Sequence, residues 1–303
     1  MTTPTSSLSI AVIGAGRIGS AFAYQLRRAG HDVTVVARPG SRRLAQLRRD
    51  GGIVLTNGEH ASVTVADHLD EQAPFDLVIV TTLAHQVDAV LPVLQRSQAR
   101  CVHFMFVTPE AQRLRSAIGA GRATFGMAAV LATLDDDGRL GLAIPKTKAM
   151  HGDQRWVDMF EAAGMPSALE ADMGRWLRSQ TPLTIAMEGV AAAGMRHKRG
   201  ATWAEAKTGA KALRAGFSIL GETPYPDAKK RMSRAPRPML TLILWAVSRS
   251  RFRETVGNSG EECRGLIDLL AAEGTHQPAL RTAADAVLAL RPASTTGPVT
   301  ERA

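Results

Sequence analysis

The apolar positions of the first hundred residues come in short runs separated by helical stretches. Leu8 to Ile13 is a continuous apolar run that ends in Gly14-Ala15-Gly16-Arg17-Ile18-Gly19, after which Ala21, Phe22, Leu26 and Ala29 recur at helical spacing up to Gly30. This pattern predicts strand, tight turn and helix. Asp32 to Ala37 is a second β-branched run, and Ser41 to Asp50 reads as a basic helix closed by Gly51-Gly52. Ile53–Leu55 and Ser62–Val65 read as short strands around a polar turn, Phe75 to Thr81 as a buried strand, and His85 to Leu94 as the helix behind it. Arg100 to Val107 carries apolar residues on both faces, as a central strand of a parallel sheet requires. The alternation predicts a doubly wound α/β domain over residues 1–165. Two β-rich segments flank Asp135-Asp136-Asp137-Gly138, so residues 123–150 are expected to form a hairpin closing the sheet edge. From Met173 onward the patterns are long and helical, which predicts an all-α domain over 166–291 and a frayed tail over 292–303.

Composition narrows the classes. The chain has 303 residues, 45% of them hydrophobic and 21% charged, enough for two ordinary domains. Its apolar run from Met239 to Val247 is far shorter than the ~20 residues of a membrane helix, and the opening MTTPTSS has no basic segment ahead of an apolar one. A cytoplasmic protein with no membrane association is expected. Cys101 and Cys263 stand alone, no CxxC, HxH or HExxH occurs, and so neither a disulfide framework nor a metal site is expected. The net charge of +9 is uneven: residues 227–253 hold eight Lys and Arg against Asp227. Without a recognisable nucleic-acid motif, this segment reads as a solvated face, or one that meets small anions or a partner subunit, rather than a nucleic-acid surface.

The glycines carry the chemistry. In a GxGxxG between a strand and a helix, Gly14 permits the tight turn, Gly16 lets backbone approach a pyrophosphate and Gly19 lets the helix pack closely, while the helix N-terminus faces the phosphates. Gly14, Ala15, Gly16, Arg17, Ile18 and Gly19 are therefore the candidate cofactor-binding residues of a Rossmann domain, joined by Thr81 and Thr82 at the end of the later strand. The competing reading is a glycine-rich turn of a flavodoxin-like fold with no ligand. Where an acidic residue would hold the ribose 2′-OH of NAD, the chain has Arg38, followed by Ser41, Arg42 and Arg43. Guanidinium binds a 2′-phosphate dianion that a carboxylate would repel, so the expected cofactor is NADP(H), with Arg38 and Arg42 as its ligands.

The opening SIAVIGAGRIGSAFAYQLRRAGHDVTVVAR resembles that of the ketopantoate reductases, and of 6-phosphogluconate and β-hydroxyacid dehydrogenases. FDLVIVTTLAHQVDAVLPVL at 75–94 resembles a ketopantoate reductase segment, and FMFVTPEA at 104–111 sits where that family has a Q-N-G turn. The resemblance implies an N-terminal Rossmann sheet with an all-helical C-terminal domain of the 6-phosphogluconate dehydrogenase C-terminal-like kind, and a homodimer is compatible with it. The sequence departs from the family at the site. Leu83 replaces a lysine, Val107 an asparagine, and the W-x-K-x-x-x-N pattern of the catalytic lysine is best matched by Trp176-Leu177-Arg178 with Pro182 at the asparagine. Of the later substrate motifs only Glu261 and Glu262 come near.

Ketone reduction needs a donor for the developing alkoxide, and guanidinium is a very poor acid. Arg178 is therefore expected to clamp an anion or alkoxide while His85, at the carboxyl edge of the sheet, is the other catalytic candidate; His197, Lys207 or water are alternative proton sources. The expected activity is hydride transfer between NADPH and a small keto acid or other carbonyl or imine substrate that is not ketopantoate. The alternative is a non-catalytic NADPH-binding sensor or partner protein. GNSGE at 257–261 is not a hydrolase elbow, and Asp135 to Asp137 read as a turn rather than a metal cluster.

Overall fold

The computed structural model describes residues 7–250, 253 and 260–292, and the chain divides into two compact units. The first comprises the residues up to Phe106 together with Glu110–Gly174; the second comprises Val107–Pro109 and the residues from Arg175 onward. The helical character begins at the expected place, but a further strand at Ser167–Leu169 extends the sheet beyond residue 165.

In the first unit, β1 (Ser9–Ile13) runs into α1 (Arg17–Arg28), which buries Phe22, Tyr24 and Leu26. β2 (Asp32–Val36) leads to α2 (Arg42–Asp50), whose N-cap Ser41 accepts from the Leu44 N–H and whose C-cap Gly51 is left-handed at φ 65°. β3 (Gly52–Val54) and β4 (His60–Ser62) pair antiparallel, and β5 (Thr64–Ala66) lies against β2. The single strand expected at 62–65 is thus two, broken at Val63. β6 (Leu77–Val80) is wholly buried. The helix expected from His85 to Leu94 is a 3-10 helix, Ala84–Ala89, followed by α3 (Leu91–Arg96), with Pro92 in the first turn of the latter where its missing N–H costs nothing. β7 (Val102–Met105), also wholly buried, α4 (Ala111–Ile118) and β8 (Ala123–Met127) follow.

The eight-stranded sheet has the order β12-β11-β8-β7-β6-β1-β2-β5, where β11 is Ala149–His151 and β12 is Ser167–Leu169. From β8 to β5 every pair is parallel, whereas β11 meets β8 antiparallel. The expected hairpin is real but does not close the sheet. β9 (Leu131–Leu134) and β10 (Leu140–Ala143) form a separate two-stranded sheet around the Asp135–Gly138 turn, and β12 takes the edge. The physical reason is burial. Ala132 and Leu140 join the core cluster that also holds Phe22 and Leu26 of α1, so the ribbon covers that core instead of extending the sheet. α5 (Gln154–Ala162) buries Trp156, Val157, Met159 and Phe160.

From Arg175 onward the regular elements among the described residues are all helices: α6 (Met173–His197, whose first two residues fall in the first unit), α7 (Trp203–Leu220), α8 (Asp227–Arg234), α9 (Arg237–Val247), α10 (Gly260–Thr275), a 3-10 turn at Pro278–Leu280 and α11 (Arg281–Leu288). α7 packs against α9, α10 and α11 and starts with a capping box of Thr202 and Glu205. Pro182 lies inside α6, and a Cβ on Gly216 would come within 2.9 Å of its ring, so the small residue is what lets α7 approach the proline. Among the described residues no helix is long and apolar enough to cross a membrane. The tail over 293–303 and the Gly257–Ser259 part of GNSGE lie outside the described residues.

Candidate dinucleotide site and catalytic candidates

The sheet order reverses at β1, which has β2 on one side and β6 on the other, and ligands of open α/β sheets bind at the carboxyl ends of strands at such a point. Gly14 follows β1 at φ +103°, a conformation that disfavours any side chain, and its N–H donates to Val36 O at 3.1 Å. From the end of β6, Thr81 donates its N–H to Ile13 O (2.8 Å) and its hydroxyl to Ile13 O (3.1 Å) and Gly14 O (2.9 Å). The hydroxyl of Thr81 therefore positions the turn, a role the sequence does not specify. A Cβ on Gly19 would lie 1.8 Å from Gly14 O and 2.6 Å from Thr81 Oγ1, so the residue sits where only glycine fits.

A Cβ on Gly16 would meet nothing within 4 Å, leaving the open side of the turn for a ligand. Gly16 is also the N-cap of α1, which has no side-chain cap and no acidic residue in its first turn; Arg17 and Ile18 follow, half-buried, and Ala15 is buried. A helix N-terminus of this kind favours an anion. Beside it, Thr82 Oγ1 is buried with no hydrogen-bond partner among the described residues. A close-packed glycine turn, an uncapped helix start and an orphaned hydroxyl all fit a bound dinucleotide.

Three arginines near the end of β2 part company. Arg38 and Arg42 are exposed and make no side-chain hydrogen bond or ion pair among the described residues. Arg43 instead turns inward to Ala15 O, Ser20 Oγ, Gly138 O and Gln46 Oε1. Ser41 donates its hydroxyl to Arg38 O at 2.7 Å and caps α2, which fixes the backbone that carries Arg38.

His85 is exposed on the 3-10 helix that follows β6, and Leu83 is its N-cap. Arg178 is not an open clamp. Its Nε donates to Glu222 (2.8 Å), Nη1 to Pro109 O (3.0 Å) and Glu273 (3.3 Å), and Nη2 to Leu220 O (3.3 Å) and Glu273. These contacts engage all three of its nitrogens, and the two carboxylates more than neutralise it. Val107 and Pro182 are buried apolar groups where the family resemblance implies asparagines. His197 pairs with Glu205 (3.0 Å), the capping residue of α7, and Lys207 is exposed. Of the two carboxylates near the later substrate motifs, Glu261 is exposed and Glu262 half-buried. Asp135 to Asp137 form the turn expected of them, with Gly138 N donating to Asp135 O, and among the described residues no cluster suits a metal. Both cysteines are buried, and burial pushes their thiols up, away from reactivity.

A second polar cluster escapes the sequence patterns. His103 on β7 and His151 on β11 are wholly buried, with His103 Nε2 3.1 Å from His151 Nδ1. Ser167 donates its hydroxyl to Met165 O, so it accepts from His151 Nε2 at 3.3 Å. That assigns the hydrogen of His151 to Nε2, makes its Nδ1 the acceptor of His103 Nε2–H, and leaves His103 Nδ1 to accept from Thr124 Oγ1 at 2.8 Å. Cys101 Sγ, 3.3 Å from Thr124 Oγ1, begins the chain. A Cβ on Gly126 would stand 2.7 Å from His103 Nε2, so this position also requires glycine. The only sequence sign of the chain is a histidine inside the apolar run 100–107.

Residues 10–150 match the family model described as Ketopantoate reductase PanE/ApbA. A comparison with curated proteins finds no match. Among solved structures the chain is similar to a probable 2-dehydropantoate 2-reductase, panE, from Bacillus subtilis, at 20% identity over 93% of this chain and 100% of that one, with a TM-score of 0.66. It is similar to D-mandelate dehydrogenase in complex with NADH, at 15% identity over 94% and 97% of the two chains, TM-score 0.67. A dimeric ketopantoate reductase from Staphylococcus aureus shows 12% identity over 94% and 99%, TM-score 0.62. At these identities the structural likeness is one of fold, a Rossmann sheet followed by a helical half. Over residues 10–150, somewhat under half of its length, the chain is similar to the ketopantoate reductase PanE/ApbA family.

Proposed function

We propose that the protein is a cytoplasmic NADP(H)-dependent reductase acting on a small keto acid or other carbonyl or imine compound other than ketopantoate. The observation that carries the cofactor choice is the pair Arg38 and Arg42, exposed and without a side-chain partner among the described residues, just beyond β2, where NAD would call for a carboxylate. Bound against the glycine turn, the nicotinamide would supply a hydride. The protein's part is to hold the pyrophosphate on the N–H groups at the start of α1 and the 2′-phosphate on Arg38 and Arg42. Thr82, whose buried hydroxyl has no partner among the described residues, is a further contact for the cofactor, while Thr81 keeps the turn in place. His85 is the proton source we assign to the reduction, since Arg178 is engaged by Glu222 and Glu273.

Leu83, Val107 and Pro182 remove three polar groups that the family resemblance would give to substrate or cofactor, so ketopantoate should turn over below the ~1 per second of ordinary enzymes. Calorimetric titration tests the cofactor: NADPH should bind at least about tenfold tighter than NADH, roughly 1.4 kcal/mol, and Arg38→Asp should erase that preference. Equal affinities in the unmutated protein would refute it. A second reading, a non-catalytic NADPH-binding sensor or partner, is favoured by the engagement of Arg178, and NADPH oxidation across a panel of 2-keto acids and imines separates the two. Since the S. aureus neighbour is dimeric, a homodimer belongs to the proposal, checked by light scattering.

A further inference from the structure

Arg43 lies in the first turn of α2, one residue beyond the exposed Arg42, yet all three of its nitrogens are turned into the protein. Nε donates to Ala15 O at 2.9 Å, inside the glycine turn. Nη2 donates to Ser20 Oγ at 2.7 Å, and that hydroxyl in turn donates to Ala15 O at 3.3 Å. Nη1 donates to Gln46 Oε1 and to Gly138 O, the tip of the β9–β10 ribbon. Gly138 stands at φ +79°, and a Cβ there would meet Nη1 at 2.9 Å, so the tip is shaped to receive the guanidinium.

Every acceptor of Arg43 is neutral. Among the described residues no carboxylate forms an ion pair with it; Asp50, which accepts from Gln46 and is itself held by Arg49, offers it an opposite charge only at a distance, and burial outweighs that attraction. Burying a cation without an ion-paired partner is costly, and Arg43, with Ser20, also fastens a carbonyl of the glycine turn, that of Ala15. Both features make sense if the missing counter-ion arrives with a ligand.

We propose that Arg43 is a positioning residue of the dinucleotide site. It draws the Ala15 carbonyl back, so that the N–H groups of the turn present themselves to the pyrophosphate, and it supplies the positive charge behind the turn. Through Gly138 it also makes cofactor affinity depend on the Asp135–Gly138 ribbon, 120 residues along the chain from the glycine turn. This rests on the dinucleotide reading above. It differs from the role of Arg38 in a measurable way, because the pyrophosphate is common to NADPH and NADH whereas the 2′-phosphate is not.

The test is titration of NADPH and NADH into the unmutated protein, Arg43→Met, Arg43→Lys and Gly138→Val, at several salt concentrations. Arg43→Met should weaken both dinucleotides by the same factor, at least about tenfold, leave their ratio unchanged, and flatten the dependence of log Kd on log salt. Arg43→Lys keeps the charge and should recover part of the affinity and the full salt slope, a response that a packing role would not produce. Gly138→Val should weaken both dinucleotides. If Arg43→Met does not fold, the Lys variant and Gly138→Val carry the test, and unaltered affinity in both overturns the proposal. So do a folded Arg43→Met that binds as tightly as the unmutated protein, and Lys and Met variants that behave alike. Failure of the unmutated protein to bind either dinucleotide would instead sink the dinucleotide reading itself.

Discussion

Acidification is the perturbation to which the His103–His151 pair should respond. Burial holds the pKa of His151 down from 6.5 to about 4, and burial together with the neighbouring His151 holds His103 lower than its ordinary value as well. No charged side chain takes part in the hydrogen-bonded chain: Cys101, Thr124 and Ser167 are neutral, and the rings of Trp156 and Phe160 from α5 cover the pair, His151 stacking on Phe160 at 4.6 Å. A proton added to either ring would set two N–H groups against each other or against the Thr124 donor. Because the folded pKa lies below the unfolded one, the unfolded chain takes up the proton first. The stabilisation is complete above pH 6.5, falls as pH drops from 6.5 to 4, and is gone below about 4. For His151 alone the loss is about 3 kcal/mol, a large part of the ~5–15 kcal/mol of a typical domain.

Urea unfolding at pH 7.0, 6.0, 5.0 and 4.5 measures this. Asp50, Asp67, Asp153, Glu59, Glu71 and Glu205 are all held below the usual carboxylate range, so they add their own loss at the acid end as the unfolded chain begins to take up their protons, and a double variant lacking both histidines carries the same contribution. His31, which burial also pulls down, acts in the same direction as pH falls below 6.5, so the comparison with His103→Gln/His151→Gln isolates the pair. Those amides donate and accept but take no proton. A flat profile in the unmutated protein, or an acid loss of the same size in the double variant, would refute the reasoning. Should the double variant not fold, the imidazole resonances of the native protein serve instead, and a His151 that titrates near 6.5 refutes it.

Two further outcomes follow from close contacts. Gly19→Ala drives a Cβ to 1.8 Å from Gly14 O, so the turn must open; dinucleotide affinity should fall at least about tenfold and stability by about 1–3 kcal/mol, read by calorimetry and urea unfolding. Arg178→Ala leaves Glu222 and Glu273 without their cation and should cost on the order of 2–4 kcal/mol of stability while NADPH affinity stays unchanged; full stability with lost affinity would restore Arg178 to the binding site.

The sequence by itself determined the elements whose signal is local. Runs such as Leu77–Val80 bury every residue, and that reads as a central parallel strand before any contact is known. The glycine turn was equally legible, because Gly14 answers to its own backbone angle and Gly19 to a partner five residues away. Identity and spacing likewise made Arg38 a candidate ligand. The tertiary structure decided whatever depends on partners distant in the chain. Arg42 and Arg43 are neighbours of one residue type, yet one faces solvent and the other is bound by a carbonyl 95 positions away. Arg178, which the resemblance puts forward as a clamp, is taken by Glu222 and Glu273, which lie 44 and 95 positions further on. The ribbon over 131–143 lies apart from the sheet it was expected to close because Ala132 and Leu140 bury against the core around α1. A hydrogen bond is made by whichever donor and acceptor the fold brings within about 3 Å, and in the apolar sequence around His103 nothing local marks His151 as its partner.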